Sequence, residues 1–440
     1  EMKKKNQEVL VITALDEVAW LFNLRGHGFV KHCPVFRAYG LLTTSRCLLF
    51  ADMDFLRPGA LKHLENQRNE SGFQVEVFKY SEFRDTLEIF LEQPYKIWID
   101  PRTSFDIYDI CKKKAKGKQD GLLIQNSPIG LKKAIKNPTE ISNMKLAHVN
   151  DACAIVQFLH WLETTIDQEN TVVTEVDAAD KLEQLRAEVP DFVGLSFDTI
   201  SSYGPNGAVI HYKPERDSPD CAKIGKDSLY LCDSGGQYLS GTTDITRTVH
   251  FGTPSAHMIE MYTHVLEGHC QFAMARFPEK TQPNKLDALA RSALWRNGLD
   301  YNHGTSHGVG AFLNVHESPP SISSRISSEN APSLTPGMIL SNEPGYYEDG
   351  EFGIRIENLV LVKECEKLNQ RSTMIKKFYE FETISLVPFQ KGLIDIGLLS
   401  NTSRNWVNKY HKRCLEIVGP KVKEKNPDAF LWLQKQCEEM

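Results

Sequence analysis

A chain of 440 residues, 41% hydrophobic and 25% charged, is too long for one ordinary core and reads as a soluble protein of two or three domains. Its net charge of −6, with no apolar run near the ~18 residues of a membrane span, excludes a general drive toward nucleic acid or the bilayer. Ten cysteines, from Cys33 to Cys437, form no C-x-x-C pair and no disulfide-framework spacing, which points to reduced thiols in the cytoplasm.

The polar, charged start of the chain is not a secretory signal. The first ~130 residues then read as an alternating α/β unit. Val9 to Thr13 (VLVIT) predicts a buried strand, and Asp16 to Leu24 a helix closed by Gly26. Phe36 to Thr43 and Arg46 to Ala51 predict a hairpin around Thr44–Ser45. Gln74 to Phe78 and Lys96 to Ile99 read as strands, with helices near 81–92 and 104–114. The basic run Lys112 to Lys118 (KKKAKGK) is expected to be a solvated helix end. Nothing in this part carries metal or nucleophile chemistry, so a scaffold or gate is expected.

A domain boundary is placed near 130, giving 1–130 and 131–440. Asn137-Pro138 opens a long helix, with Asn as N-cap and Pro in the first turn. Its apolar positions, from Ile141 through Leu162, keep a helical period to about Thr165. Beyond it, helical stretches (138–188 and 255–297) alternate with strand-rich ones (196–250 and 303–388). The last four residues, Cys-Glu-Glu-Met, lack the aliphatic middle of a prenylation box.

The residues with chemistry fall in the strand-rich halves. Leu229 to Asp233 (LYLCD) predicts a strand ending on a carboxylate. Ser234 to Gln237 is read as a turn and Gly241 to Arg247 as the returning strand, so Asp233 and Asp244 can meet across a hairpin. Cys232 should point to the opposite face and pack in the core. Phe352 to Val362 reads as one strand, with Arg355 and Glu357 on one side and Ile354 and Ile356 on the other. Glu343 ends a strand over Gly337 to Asn342, where Pro344-Gly345 forces a turn. Three histidines, His303, His307 and His316, lie within fourteen residues among glycines, and His211 sits in GPNGAVIHY. Four carboxylates (Asp233, Asp244, Glu343, Glu357) and the His307 imidazole suit a pair of hard or borderline divalent cations. Such a pair can hold a hydroxide and drive hydrolysis.

These segments (GPNGAVIHY, DSGGQYLSGTTDITRT, HGTSHGVGAFLNVHE, SNEPGYYEDG and FGIRIEN) together resemble eukaryotic cytosolic-type aminopeptidase P, the Xaa-Pro aminopeptidases of the pita-bread metallopeptidases. LDEVAWLFNLRG and PVFRAY resemble the opening of that family's middle domain. The family's eukaryotic members have three domains, and this chain begins at what resembles the second. The fold implied is an α/β creatinase/prolidase-like N-terminal domain followed by an α+β pita-bread catalytic domain.

The resemblance also implies roles. Asp233 should bind one metal alone, Asp244 and Glu357 should bridge, and His307 and Glu343 should complete the second site. Glu343 is the implied general base, assisting a water or hydroxide held between the ions. His211 and His316 should hydrogen-bond substrate or stabilise the tetrahedral intermediate. His303, Tyr347 and Arg355 match the pocket for a second-position proline. Two divalent ions are implied, Mn²⁺ being the family's usual activator, and a homodimer through the catalytic domain. The expected activity is release of an N-terminal residue ahead of proline. The alternatives are a prolidase acting on Xaa-Pro dipeptides, or a non-catalytic pita-bread binding module. A metal-free amidinohydrolase like creatinase would lack this carboxylate set. Ser306 stands where the family more often has glycine.

Overall fold

The computed structural model describes residues 1–71, 74–115, 121–324, 331–370 and 376–440. Contacts divide the chain into two units, Glu1–Lys133 and Ala134–Met440. Positions 116–118 of the basic run lie outside the described residues.

In the first unit six strands pair in the order β4-β3-β2-β1-β5-β6. They are β1 (Val9–Ile12), β2 (Ala38–Thr43), β3 (Arg46–Ala51), β4 (Gln74–Lys79), β5 (Ile97–Ile99) and β6 (Leu122–Ile124). The β1–β2–β3 run is antiparallel and the other pairings are parallel. Parallel neighbours need a crossover. The helix Pro58–Ser71 supplies one between β3 and β4, and Phe105–Ala115 another between β5 and β6. Val9, Val11, Leu41, Leu48 and Phe50 form one apolar face, closed by Phe83, Leu87 and Ile107. Thr43 Oγ1 accepts from Arg46 N at 2.8 Å, which fixes the turn at Thr44–Ser45. The first helix, Leu15–Leu21, ends earlier than the glycine suggested. Asn23 takes the left-handed conformation (φ 48°), and Leu24 N returns to Ala19 O at 2.9 Å. Gly26 serves close approach instead: a Cβ there would lie 2.5 Å from Val35 O.

The second unit opens with the helix Pro138–Ile166. Asn137 Oδ1 accepts from Glu140 N and Glu140 Oε2 accepts from Asn137 N, both at 2.9 Å, a reciprocal capping box. Helix Glu175–Ala187 follows. Strands β7 (Phe192–Leu195), β8 (Ile200–Tyr203), β9 (Leu229–Ser234), β10 (Gly236–Tyr238), β11 (Gly241–Thr242) and β12 (Ile245–His250) form two small sheets, β11-β10-β7 and β12-β9-β8. Helices Ala256–Ala273 and Asp287–Trp295 come next, around the short β13 (Arg276–Pro278). Then come β14 (Ser306–Gly308), β15 (Glu317–Ile322), β16 (Ile339–Asn342), β17 (Gly345–Glu348), β18 (Phe352–Arg355), β19 (Asn358–Glu364) and β20 (Phe378–Thr383). They form a sheet ordered β13-β20-β19-β16-β14-β15 and the β17-β18 pair. Helices Asn401–Lys425 and Pro427–Gln436 close the unit, burying Val407, Tyr410, Cys414, Val418 and Leu433 in the main core.

Three expected elements differ. The turn after Asp233 is a strand: β10 leaves the β9 sheet to pair with β7, and the reversal falls at Leu239–Ser240. The returning strand is broken at Thr243–Asp244, although β12 does pair with β9, Thr246 opposite Asp233. Phe352 to Val362 is likewise two strands. At the break Ile356 N donates to Pro344 O and Glu357 N to Thr246 O, so the chain changes partners there.

Candidate metal centre

Each chemical side chain sits where a strand ends or breaks. Asp233 is on β9, Asp244 in the gap before β12, His307 on β14, Glu343 just past β16, and Glu357 in the gap between β18 and β19. At such points the backbone leaves its ladder, and a side chain can turn out of the pleat toward its neighbours.

The structure brings all five together. Donor atoms of Asp233, Asp244 and Glu357 lie within 4.8 Å of one another, and so do those of His307, Glu343 and Glu357. A third group joins Asp244, His307 and His316. His307 Nε2 is 3.4 Å from Asp244 Oδ2 and 3.6 Å from Glu343 Oε1. Its Nδ1 is 2.8 Å from Gly308 O; a proton there leaves Nε2 to face the carboxylates.

Polar neighbours orient the carboxylates. Thr246 Oγ1 donates to Glu357 Oε2 at 2.9 Å. Ser341 Oγ donates to Glu343 Oε1 at 2.9 Å and accepts from His307 N. Arg355 donates to Asp233 Oδ2 at 2.7 Å and to the Tyr347 hydroxyl at 2.8 Å. Tyr347 OH is also 2.8 Å from His303 Nε2. Thr246 and Ser341 were not among the sequence candidates. Each stands two positions from a candidate, Thr246 from Asp244 and Ser341 from Glu343, and that spacing was the available signal.

The electrostatics suit a site for cations. Burial raises the Asp244 carboxyl to about 6 and Glu343 to about 7. Glu357 is pushed well above the carboxylate range, by burial and then by the charges of Asp244, Asp233 and Glu343. Burial disfavours the His307 imidazolium, but the hydrogen bond to Asp244 and the charge of Glu343 outweigh it and lift His307 to about 9. Among the described residues, Asp233 Oδ1 and Glu357 Oε1 are buried and accept no hydrogen bond. Buried carboxylate oxygens without donors are costly alone and are natural ligands for a hard cation. The donor set therefore fits two divalent ions sharing Glu357.

The cluster lines a cleft of about 560 Å³. His303, Tyr347 and Arg355 make a connected group beside it, and His211 and His316 line the same cleft. The His316 and His307 rings meet edge to face, 4.4 Å between centroids. Burial and the His307 charge lower His316 to about 4, so its imidazole is neutral near pH 7. Ser306 lines the cleft too, and its hydroxyl is buried.

Known proteins agree with this architecture. The pattern of metallopeptidase family M24 matches residues 142–364. That of the creatinase/prolidase N-terminal domain matches 1–140, and that of the C-terminal region of peptidase M24 matches 377–440. The chain belongs to metallopeptidase family M24, with a creatinase/prolidase-like α/β domain ahead of a pita-bread catalytic domain. Within the family it is 46% identical to the probable Xaa-Pro aminopeptidase P of Laccaria bicolor, over 99% of this chain and 65% of that protein. It is 42% identical to aminopeptidase P1 of Arabidopsis thaliana, over 100% of this chain and 72% of that one. The crystal structure of X-prolyl aminopeptidase from Caenorhabditis elegans, described as a cytosolic enzyme with a di-nuclear active site, superposes with a TM-score of 0.89 at 33% identity, covering 100% of this chain and 69% of the other. Prolidase from Pyrococcus furiosus shares the fold, at a TM-score of 0.63 and 22% identity. The chain spans 65% and 72% of the length of the two curated relatives named.

Proposed function

We propose that the protein is a metal-dependent aminopeptidase that hydrolyses the bond between an N-terminal residue and a second-position proline. The observation that carries the reading is the pair of donor groups sharing Glu357 in the lining of the cleft, beside the connected His303–Tyr347–Arg355 group. In it, Asp233, Asp244 and Glu357 would hold one ion, and Asp244, His307, Glu343 and Glu357 the other. The ions, most consistent with Mn²⁺ in this oxygen-rich set, supply Lewis acidity and a nucleophilic water at neutral pH.

The chain's own residues do the rest. Glu343 is the general base, its carboxylate oriented by the Ser341 hydroxyl. It takes the proton of the attacking water and returns it to the departing proline nitrogen. His211 and neutral His316 donate to the substrate carbonyl oxygen as it gains charge. A Xaa-Pro bond is a tertiary amide with no N–H to donate. The flat faces of His303 and Tyr347 can grip the rigid ring instead, with Arg355 holding Tyr347 in place. The relatives' names and the neighbour's di-nuclear centre support the same reaction. Cytoplasmic location and a homodimer through the catalytic domain belong to the proposal; among the described residues no helix is long and apolar enough to cross a membrane.

Hydrolysis of a Xaa-Pro-Xaa tripeptide, its Xaa-Ala-Xaa twin and a Xaa-Pro dipeptide, with Mn²⁺ and then with chelator, tests the reading. Chelator-sensitive cleavage of the proline tripeptide alone is expected. Cleavage of the dipeptide alone would replace it with a prolidase, and no cleavage with no bound metal would overturn catalysis.

A further inference from the structure

One buried carboxylate outside the metal cluster collects more donors than any ligand in it. Glu175, fully buried, is the first residue of the helix Glu175–Ala187. Its Oε1 accepts from Tyr203 N at 2.6 Å and from Asn206 Nδ2 at 3.0 Å. Its Oε2 accepts from the Tyr212 hydroxyl at 2.8 Å, Ala222 N at 2.9 Å and Asn206 Nδ2 at 3.1 Å. The helix N-terminus adds a favourable dipole. Every donor belongs to the segment 203–222. Tyr203 opens it, Ala222 closes it, and Asn206 and Tyr212 lie between.

That segment is long, and only its first turn, Gly204–Ala208, is regular. Between its ends it carries Ile210, His211, Tyr212 and Lys213, all lining the cleft. Closing such a loop costs entropy, and one carboxylate accepting from both ends offsets that cost at a single point. The backbone adds a second tie: Glu175 N donates to Ala222 O at 3.1 Å, and Ile224 N to Val173 O at 2.9 Å. The opposite side of the loop rests on β18. A Cβ on Gly353 would lie 1.7 Å from Gly207 O, so the two backbones touch. His211 itself is an exposed residue of this loop.

We propose that Glu175 is a positioning residue of the active site: by closing the 203–222 loop onto its carboxylate it fixes His211 in the substrate cleft. It touches neither substrate nor metal. The kinetic arm of its test rests on the aminopeptidase reading; the exchange arm does not.

The experiment compares wild type, Glu175→Gln, Tyr212→Phe, His211→Ala and the Glu175→Gln/His211→Ala double variant, all loaded with Mn²⁺. Hydrogen exchange is followed across 203–222, alongside metal content and tripeptide kinetics. Glu175→Gln turns an amide N–H₂ toward donors, so exchange in 203–222 should accelerate at least 10-fold while metal content stays at the wild-type value. kcat/KM should fall about 10- to 100-fold, as expected for a misplaced group. The double variant should be no slower than His211→Ala alone, because both changes disable one device. Should Glu175→Gln fail to fold, Tyr212→Phe removes a single donor and should still accelerate exchange in the loop. Unchanged exchange in 203–222 in the folded variants, or losses that multiply in the double variant, would overturn the proposal. A wild type that cleaves no Xaa-Pro peptide would sink the aminopeptidase reading and leave exchange alone to decide the role of Glu175.

Discussion

Glu357 is buried within reach of Asp233, Asp244 and Glu343, and without a cation each carboxylate raises the cost of ionising the others. A group whose folded pKa is raised contributes stability below its unfolded value and loses it as pH rises through the folded value. Above neutrality the metal-free site is therefore strained, and the ions relieve it. Glu357→Gln should abolish turnover and lower metal content, and Asp244→Asn should do the same. In chelator at pH 8, Glu357→Gln should nonetheless be more stable than wild type, on the order of 1 kcal/mol. Urea titration of both proteins without metal measures this; a less stable variant would contradict the like-charge account. All five proposed ligands were candidates in sequence, because the four carboxylates and one imidazole fall in motifs that, in order, resemble one metallopeptidase family, although each residue taken alone would pass for a structural one. Thr246 and Ser341 were not, since a hydroxyl near a metal site looks in sequence like any strand threonine or serine. Glu175 was hidden for a different reason: its donors are mostly backbone groups, and those leave no residue-type signature.

Elements, rather than residues, are where sequence periodicity fell short. Asn137-Pro138 announced its helix through cap chemistry, and the hairpin at Thr44–Ser45 through apolar runs on both sides. The helix Pro58–Ser71 (PGALKHLENQRNES) is mostly polar and offers no such stripe. The breaks at Asp244 and Glu357 are invisible to a period-2 pattern, because apolar alternation continues while the hydrogen-bond partner changes. What holds the second break is Arg247. Its guanidinium donates to Thr246 O, Glu357 O, Asn358 Oδ1, Val387 O and Tyr410 OH, and it stacks over the Phe389 ring at 4.8 Å. One buried cation thus joins β12, the Glu357 gap, the 385–389 segment and the helix Asn401–Lys425. Lysine keeps the charge but offers one nitrogen in place of a planar fork. Arg247→Lys should cost about 3 kcal/mol in urea unfolding and should lower metal affinity through Glu357. A variant within 0.5 kcal/mol of wild type, on the order of a neutral surface change, would deny Arg247 this role.

At the scale of the whole molecule, the buried histidines of the second unit and the buried Glu17 of the first are expected to answer pH in opposite senses. In the second unit His269 and His411 are buried and neutral, each lowered to about 3 by burial and then by Arg247. His411 Nε2 accepts from Phe389 N at 3.1 Å, a bond only the unprotonated nitrogen can make. A depressed histidine contributes stability above its unfolded value near 6.5, and that stability is lost as pH falls toward the folded value. Between these limits each histidine adds a slope of about 1.4 kcal/mol per pH unit. In the first unit Glu17 is raised to about 7, chiefly by burial. Its contribution runs the other way, complete below about 4.5 and lost as pH rises through 7. Acid should therefore loosen the catalytic unit through these histidines and mild alkali the N-terminal unit through Glu17, while without metal the raised Asp244, Glu343 and Glu357 give the catalytic unit an alkaline limb of its own. Unfolding followed without metal from pH 4.5 to 8.5, with hydrogen exchange to assign each unit, separates the two. His411→Gln keeps an acceptor for Phe389 N and should flatten the acid limb by one histidine's slope, leaving the alkaline limb alone. Glu17→Gln should flatten the alkaline limb only. Variants that shift both limbs together would mean that the units unfold as one, and that neither group sets the limb assigned to it.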